Sequence, residues 1–153
     1  MVVAKNGFSL IEVLIVVVII GIIVAIAIPS YTQYVIKAKR IDAQSELLTI
    51  ASRIQRYKII NNSLSTATGV LELSDLGLKL QSGKYFIPDT GNPLYEVTLS
   101  DVTANGTWTL AATPVANSSQ NGNGTIGLNN SGQKCWTKGS TCKPTSITNW
   151  DGK

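Results

Sequence analysis

Histidine is absent from this chain of 153 residues, cysteine occurs twice, and charged residues make up only 14%. Without imidazole there is no Ser-His-Asp or Cys-His catalysis, no histidine metal site and no titration switch near neutrality. Two cysteines are too few for a four-thiolate zinc or iron–sulfur centre. Asp89, Asp101 and Asp151 are too scattered to suggest a calcium site. The expectation is therefore a protein that is not an enzyme, with no cofactor and no metal. Acids are also few, nine against thirteen bases. Residues 8–60 carry Lys37, Lys39, Arg40, Arg53, Arg56 and Lys58 against Glu12, Asp42 and Glu46, whereas residues 61–153 carry six of each sign. The basic excess belongs to the first third, so the overall pI is no argument that the C-terminal part coats nucleic acid.

What the chain has in abundance is apolar sequence at one end. Within residues 8–28, FSLIEVLIVVVIIGIIVAIAI, only Ser9 and Glu12 are polar. As a helix this run is about 31 Å long, against about 30 Å for a bilayer's hydrocarbon core. A helix apolar on every face suits a membrane or a helix bundle, because the core helix of a small soluble domain needs only one such face. Ala25-Ile26-Ala27 imitates a signal-peptidase site, but helical periodicity continues past it. Positions 34, 38, 41, 45 and 48, and positions 43, 47, 50, 51 and 54, recur at three- and four-residue spacing. One helix over residues 8–60 is predicted, greasy all round in its first half and amphipathic in its second.

Three residues interrupt the greasy part. Glu12 is an acid where an acid costs about 2.5–3.5 kcal/mol at a membrane helix centre. Pro29 removes a backbone donor and crowds the carbonyl of Ala25, so a bend or loosening is expected there. Gly21 weakens the same stretch by about 1 kcal/mol relative to alanine.

Lys5-Asn6-Gly7, then Phe8-Ser9-Leu10-Ile11-Glu12-Val13, the apolar run and Pro29 together resemble the N-terminus of a type IV pilin precursor, a class III signal sequence. Ile28-Pro29-Ser30-Tyr31, residues 43–48 and Arg56-Tyr57 are most similar to the minor pilins that prime pilus assembly, although Gln55 stands where those usually have an acid. The resemblance implies a leader over residues 1–7, a membrane and filament-core helix over 8–30, an amphipathic half over 31–60 and a globular head over 61–153. It implies cleavage between Gly7 and Phe8 by a prepilin peptidase and methylation of the Phe8 amine. It further implies residence in the inner membrane with a periplasmic head, then extraction by the assembly platform into an extracellular helical filament of pilin subunits. Glu12 would meet a neighbouring subunit's N-terminal amine and set axial register, and Gly21 and Pro29 would let the helix loosen in the fibre. The positive-inside count, with Lys37, Lys39 and Arg40 beyond the span, points the other way. The specificity of the leader outweighs it.

After residue 60 the sequence turns rich in Asn, Ser, Thr and Gly. A short helical turn is expected near residues 71–76, with strands at 94–99, 107–113 and 125–128 and an edge strand at 84–87. Asn105-Gly106 marks a tight turn. The fold expected is α+β: a long helix whose second half packs through Leu47, Ile50, Ala51 and Ile54 on an antiparallel sheet of three or four strands, the ladle arrangement of pilins. In a periplasmic head Cys135 and Cys142 would form a disulfide, resembling the C-terminal loop of pilins. Gly122-Asn123-Gly124-Thr125-Ile126-Gly127 matches a dinucleotide fingerprint only on paper, since a polar loop precedes it and a strand follows. Its glycines read as loop flexibility.

Around the cysteines lie Lys134, Trp136, Lys138, Lys143 and Trp150, with no acid between Gln133 and Trp150. Cations interleaved with aromatics can grip DNA. A lysine-decorated rim with tryptophans tucked against the sheet is the reading preferred over DNA contact. The function expected is thus a structural subunit of the type IV pilus, of the minor kind. A type II secretion pseudopilin and a DNA-uptake pilin stand as alternatives. Major pseudopilins typically carry calcium in place of a disulfide, so the cysteines favour the pilus.

Overall fold

The structure, a computed structural model, describes residues 9–152. The expected leader, the expected cleavage position after Gly7 and the expected methylation at Phe8 lie outside the described residues. The chain divides into two units, Met1–Ala38 and Lys39–Lys153.

Helix α1 runs Leu10–Asn61. At its start the Ser9 carbonyl accepts hydrogen bonds from the Glu12 and Val13 amides, with Glu12 in the first turn where the helix dipole favours an acid. Pro29 lies inside the helix, which continues through it as helix. Proline removes one N–H only, the one that would serve the Ala25 carbonyl. One turn on, the Thr32 hydroxyl donates to the Ile28 carbonyl at 3.0 Å. From Leu10 to Ile28 every large apolar side chain is exposed, and the helix is long and apolar enough to cross a membrane.

In the second unit, residues 43, 47, 50, 51 and 54 of α1 form a buried stripe. Of the two sequence periodicities this one is covered, while Ile41 and Leu48 stay exposed because the sheet occupies one side of the helix only. Leu47, Ile50 and Ile54 are wholly buried, each worth about 1.5–3 kcal/mol of hydrophobic stabilisation. A small hairpin, β1 (Ser65–Thr66) and β2 (Gly69–Val70), precedes a 3-10 turn at Leu73–Leu76, which matches the helical turn expected. Arg53 ties this turn to α1 by donating to the Leu76 carbonyl at 3.2 Å.

Five strands follow: β3 (Tyr85–Ile87), β4 (Tyr95–Ser100), β5 (Thr109–Pro114), β6 (Ile126–Asn129) and β7 (Lys134–Trp136). They form one antiparallel sheet in chain order. The expected α+β fold is present, a helix packed on an antiparallel sheet with a C-terminal disulfide. One correction applies. The sheet has five strands, since Lys134-Cys135-Trp136 is too short to show alternation by itself and is extended because it pairs with β6. Between β4 and β5 the tight turn expected at Asn105-Gly106 is present, the Gly106 amide donating to the Thr103 carbonyl at 2.9 Å, within a loop that begins after the Ser100–Thr109 pair.

The glycine-rich segment is no flexible loop, contrary to the sequence expectation. Residues 123–128 are all buried. Gly124 has φ 85°, and a Cβ there would collide with the Thr137 carbonyl. A Cβ on Gly127 would stand 2.7 Å from Cys135 Sγ and 2.9 Å from Pro144 Cγ. These glycines are the surface on which the disulfide loop and the C-terminal segment lie. Gly127→Ala should therefore overpack this contact and cost about 1–3 kcal/mol, read by chemical denaturation of the full chain in detergent.

The Tyr85 hydroxyl donates to Glu46 Oε1 at 2.7 Å and joins β3 to α1. Burial first, then the Glu46 hydrogen bond and charge, hold its pKa well above the ordinary phenol value. The neutral form is the one that folds, so its contribution is complete below about pH 10 and is lost as pH rises through the higher folded value. The thermal midpoint should fall as pH rises above about 10, and Tyr85→Phe should flatten that fall.

Candidate functional sites

Two sets of residues carry the functional argument, one in each unit. In the first unit, Glu12 is exposed in the opening turn of α1, four residues after Phe8 in sequence. Gly21 has open space where a Cβ would stand, so no contact within this chain demands glycine there. None of the described residues covers the surrounding valines and isoleucines. An apolar surface of this extent is compatible with lipid or with other apolar helices, not with water.

The second set lies at the β7 end of the sheet. The disulfide Cys135–Cys142 is formed, with Cα atoms 6.0 Å apart. Lys134 and Lys143 flank the two bridged cysteines, so with about 3.8 Å per residue their Cα atoms are at most about 14 Å apart. Lys138 and Lys143 are exposed, and Lys134 is half-buried with its ammonium 4.8 Å from the centroid of the Trp150 ring. The structure thus gathers the three predicted lysines at one edge of the sheet. The tryptophans are tucked against the core, as the sequence reading preferred. Their N–H groups are spent internally: Trp136 Nε1 donates to the Asn123 carbonyl at 2.8 Å and Trp150 Nε1 to the Gly127 carbonyl at 3.0 Å.

Charge is segregated across this unit. In the head sequence the acids Glu72, Asp75, Asp89, Glu96 and Asp101 all precede residue 102, and the next acid is Asp151. Strand order places Glu96 on β4 three strands from Lys134 on β7, about 14 Å away at about 4.8 Å per strand. Glu96 is moreover engaged by Lys84 at 2.9 Å. A head of zero net charge therefore carries a largely cationic end, where Lys134, Lys138 and Lys143 outnumber Asp151. No group of three or more metal-ligating side chains comes together among the described residues.

Arg40 also belongs to this end, although the sequence marks it only as one of the bases of the first third and of the positive-inside count. Its guanidinium lies 3.5 Å from the centroid of the Trp136 ring, and one terminal nitrogen donates to Asn123 Oδ1 at 3.2 Å. Asn123 Nδ2 in turn donates to Gln120 Oε1 at 2.7 Å, and the Tyr95 hydroxyl donates to the same oxygen at 2.8 Å. The acid-free run from 102 to 150 was the available signal for the cationic end. Nothing local distinguishes Gln120 and Asn123 from solvated loop residues.

Comparison with known proteins bears on both sets. A family model described as "Type IV minor pilin ComP, DNA uptake sequence receptor" matches residues 29–135, and a model of the prokaryotic N-terminal methylation motif matches residues 3–28. A fimbrial protein of Dichelobacter nodosus is 33% identical over 114 residues, 67% of this chain and 71% of that one. A fimbrial protein of Moraxella nonliquefaciens is 38% identical over 84 residues, where the chain spans about half of the relative's length, 51%. The type II secretion system core protein G of Pectobacterium carotovorum is 33% identical over 70 residues, 45% of each chain. No solved structure gives a significant match. With an apolar N-terminal helix, a helix-on-sheet head closed by a disulfide, and matches to structural fibre proteins, the chain belongs to the type IV pilin family and is a structural subunit, not an enzyme.

Proposed function

We propose that this chain is a minor type IV pilin of the DNA-uptake kind, anchored by α1 before assembly and offering the β7 end of its head to duplex DNA. The observation that carries the reading is the match of the DNA-uptake receptor model over residues 29–135, which span the five-stranded sheet as far as Cys135. That match reverses the order of preference drawn from the sequence, where a plain lysine rim stood ahead of DNA contact.

The geometry supports a backbone-binding mode. Lys134 and Lys143, within about 14 Å, suit phosphates on either side of a duplex groove of about 12 Å. Trp136 has Arg40 over its ring and Trp150 has Lys134, so neither indole is a free platform of the kind on which single-stranded bases stack. The pseudopilin reading has the core protein G match in its favour, but that alignment covers 70 residues and leaves the cationic end without a role.

Assembly follows from the other unit. The methylation-motif match over residues 3–28 supports cleavage after Gly7 by a prepilin peptidase and methylation of Phe8. The head would face the periplasm until the inner-membrane platform moves the subunit into the extracellular fibre, where its apolar helix packs among those of other pilins. Glu12 would then pair with a neighbouring subunit's amine, because an unpaired acid between apolar helices is costly. Gly21 and Pro29 would serve as the points where α1 loosens on entering the fibre.

Changing Lys134, Lys138 and Lys143 together to glutamate should weaken duplex retention by the full chain in detergent by tenfold or more at low salt, read by gel shift. Undiminished retention, or none by the wild-type chain, would sink the DNA reading. Glu12→Ala should leave the protein inserted and stable while reducing its incorporation into sheared fibres by roughly tenfold or more. Incorporation at the wild-type level would remove Glu12 from the assembly step.

A further inference from the structure

We infer that Arg40 is the positioning residue of the cationic end, holding Trp136 and the 120–125 loop so that the disulfide loop presents its lysines in one arrangement. The inference rests on the DNA reading above for its binding readout, but its structural core stands on contacts within the head.

Arg40 belongs to α1, not to the basic loop. Its guanidinium is stacked on Trp136 at 3.5 Å from the ring centroid while a terminal nitrogen bonds Asn123 at 3.2 Å. Nε of Arg40 is buried without a hydrogen-bond partner, so the group accepts a desolvation cost to lie flat on the indole. Burial also pushes the guanidinium below the usual arginine value, with the nearby Tyr95 acting the other way. Asn123 is a junction of hydrogen bonds: Oδ1 accepts from Arg40, the main-chain carbonyl accepts from Trp136 Nε1, the main-chain amide donates to the Gln120 carbonyl, and Nδ2 donates to Gln120 Oε1 and to the Tyr95 hydroxyl oxygen. The next residues bear the disulfide loop directly. Gly124 lies against Thr137, and the Thr125 amide donates to the Ser140 carbonyl at 3.0 Å. Thr137 and Ser140 bracket Lys138. A continuous set of contacts thus leads from a helix side chain to the loop carrying the exposed lysines.

A planar guanidinium can stack and donate in one plane at once, whereas a lysine ammonium cannot. Arg40→Lys keeps the charge and removes that geometry. In the full chain in detergent, this variant should lose about tenfold in affinity for a short duplex while the slope of log affinity against log salt stays as in the wild type. Lys138→Gln, the comparison, should reduce that slope by about 0.9 because a phosphate contact is lost. The near-UV circular dichroism of the tryptophans should change in Arg40→Lys and stay unchanged in Lys138→Gln. Wild-type affinity in Arg40→Lys, or a loss accompanied by a slope reduced by about 0.9, would overturn the inference, the latter by making Arg40 itself a phosphate contact. Should the wild-type chain not bind DNA, the DNA reading fails separately, and the tryptophan signal of Arg40→Lys still decides whether Arg40 orders this end. If Arg40→Lys does not fold, Arg40→Gln, with a planar amide, is measured in its place against the same outcomes.

Discussion

Water is an unsuitable solvent for the first unit of this protein, and the rest of the design follows from that. The apolar side chains of α1 from Leu10 to Ile28 are exposed on all faces of the helix, and no element among the described residues covers them. At about 25 cal/mol for each Å² removed from water, burying a helix of this kind is a strong driving force for entering lipid or a bundle of like helices. Pilin-family membership accounts for both environments: anchoring in a membrane before assembly, and packing in a fibre afterwards. Glu12 is conspicuous for the same reason, since an unpaired carboxylate between apolar helices is costly.

The head answers a different constraint. It carries as many acids as bases, so any attraction for a polyanion has to come from where the charges are placed. Antiparallel order sets Glu96 on β4 three strands from Lys134 on β7, and the disulfide loop holds no acid, with Asp151 the one acid next to the residues packed at that end. The glycines at 124 and 127 allow the loop and the C-terminal segment to approach β6 closely, and the Cys135–Cys142 bridge confines Lys134 and Lys143 to one neighbourhood. Cationic side chains thereby stand on a scaffold instead of on a free loop, so holding them on the phosphates of the proposed duplex would cost less entropy.

Much of this was legible from residues alone because the signals are local. The apolar run, its acid at position 12 and the buried stripe of Leu47, Ile50, Ala51 and Ile54 all follow from spacing along one helix. The four strands read from alternation exist with small shifts of boundary, and the two cysteines pair. The misses are non-local. Lys134-Cys135-Trp136 becomes a strand through its partner, and the glycines of 122–127 look like slack until the segments packed on them are known. Gln120, Asn123 and Arg40 are polar residues in ordinary polar surroundings of sequence, brought together from 83 positions apart in the case of Arg40 and Asn123.

Sequence by itself therefore determined the helix, its two characters and the environment each half requires, because helical periodicity and hydrophobicity act between residues a few positions apart. It also carried the processing motif at the N-terminus. Tertiary structure alone decided which periodic stripe is covered, that the lysines around the disulfide gather at one edge of the sheet, and that a helix arginine stacks on a strand tryptophan. Those outcomes depend on strand order and chain crossing, which bring together groups that no local pattern relates.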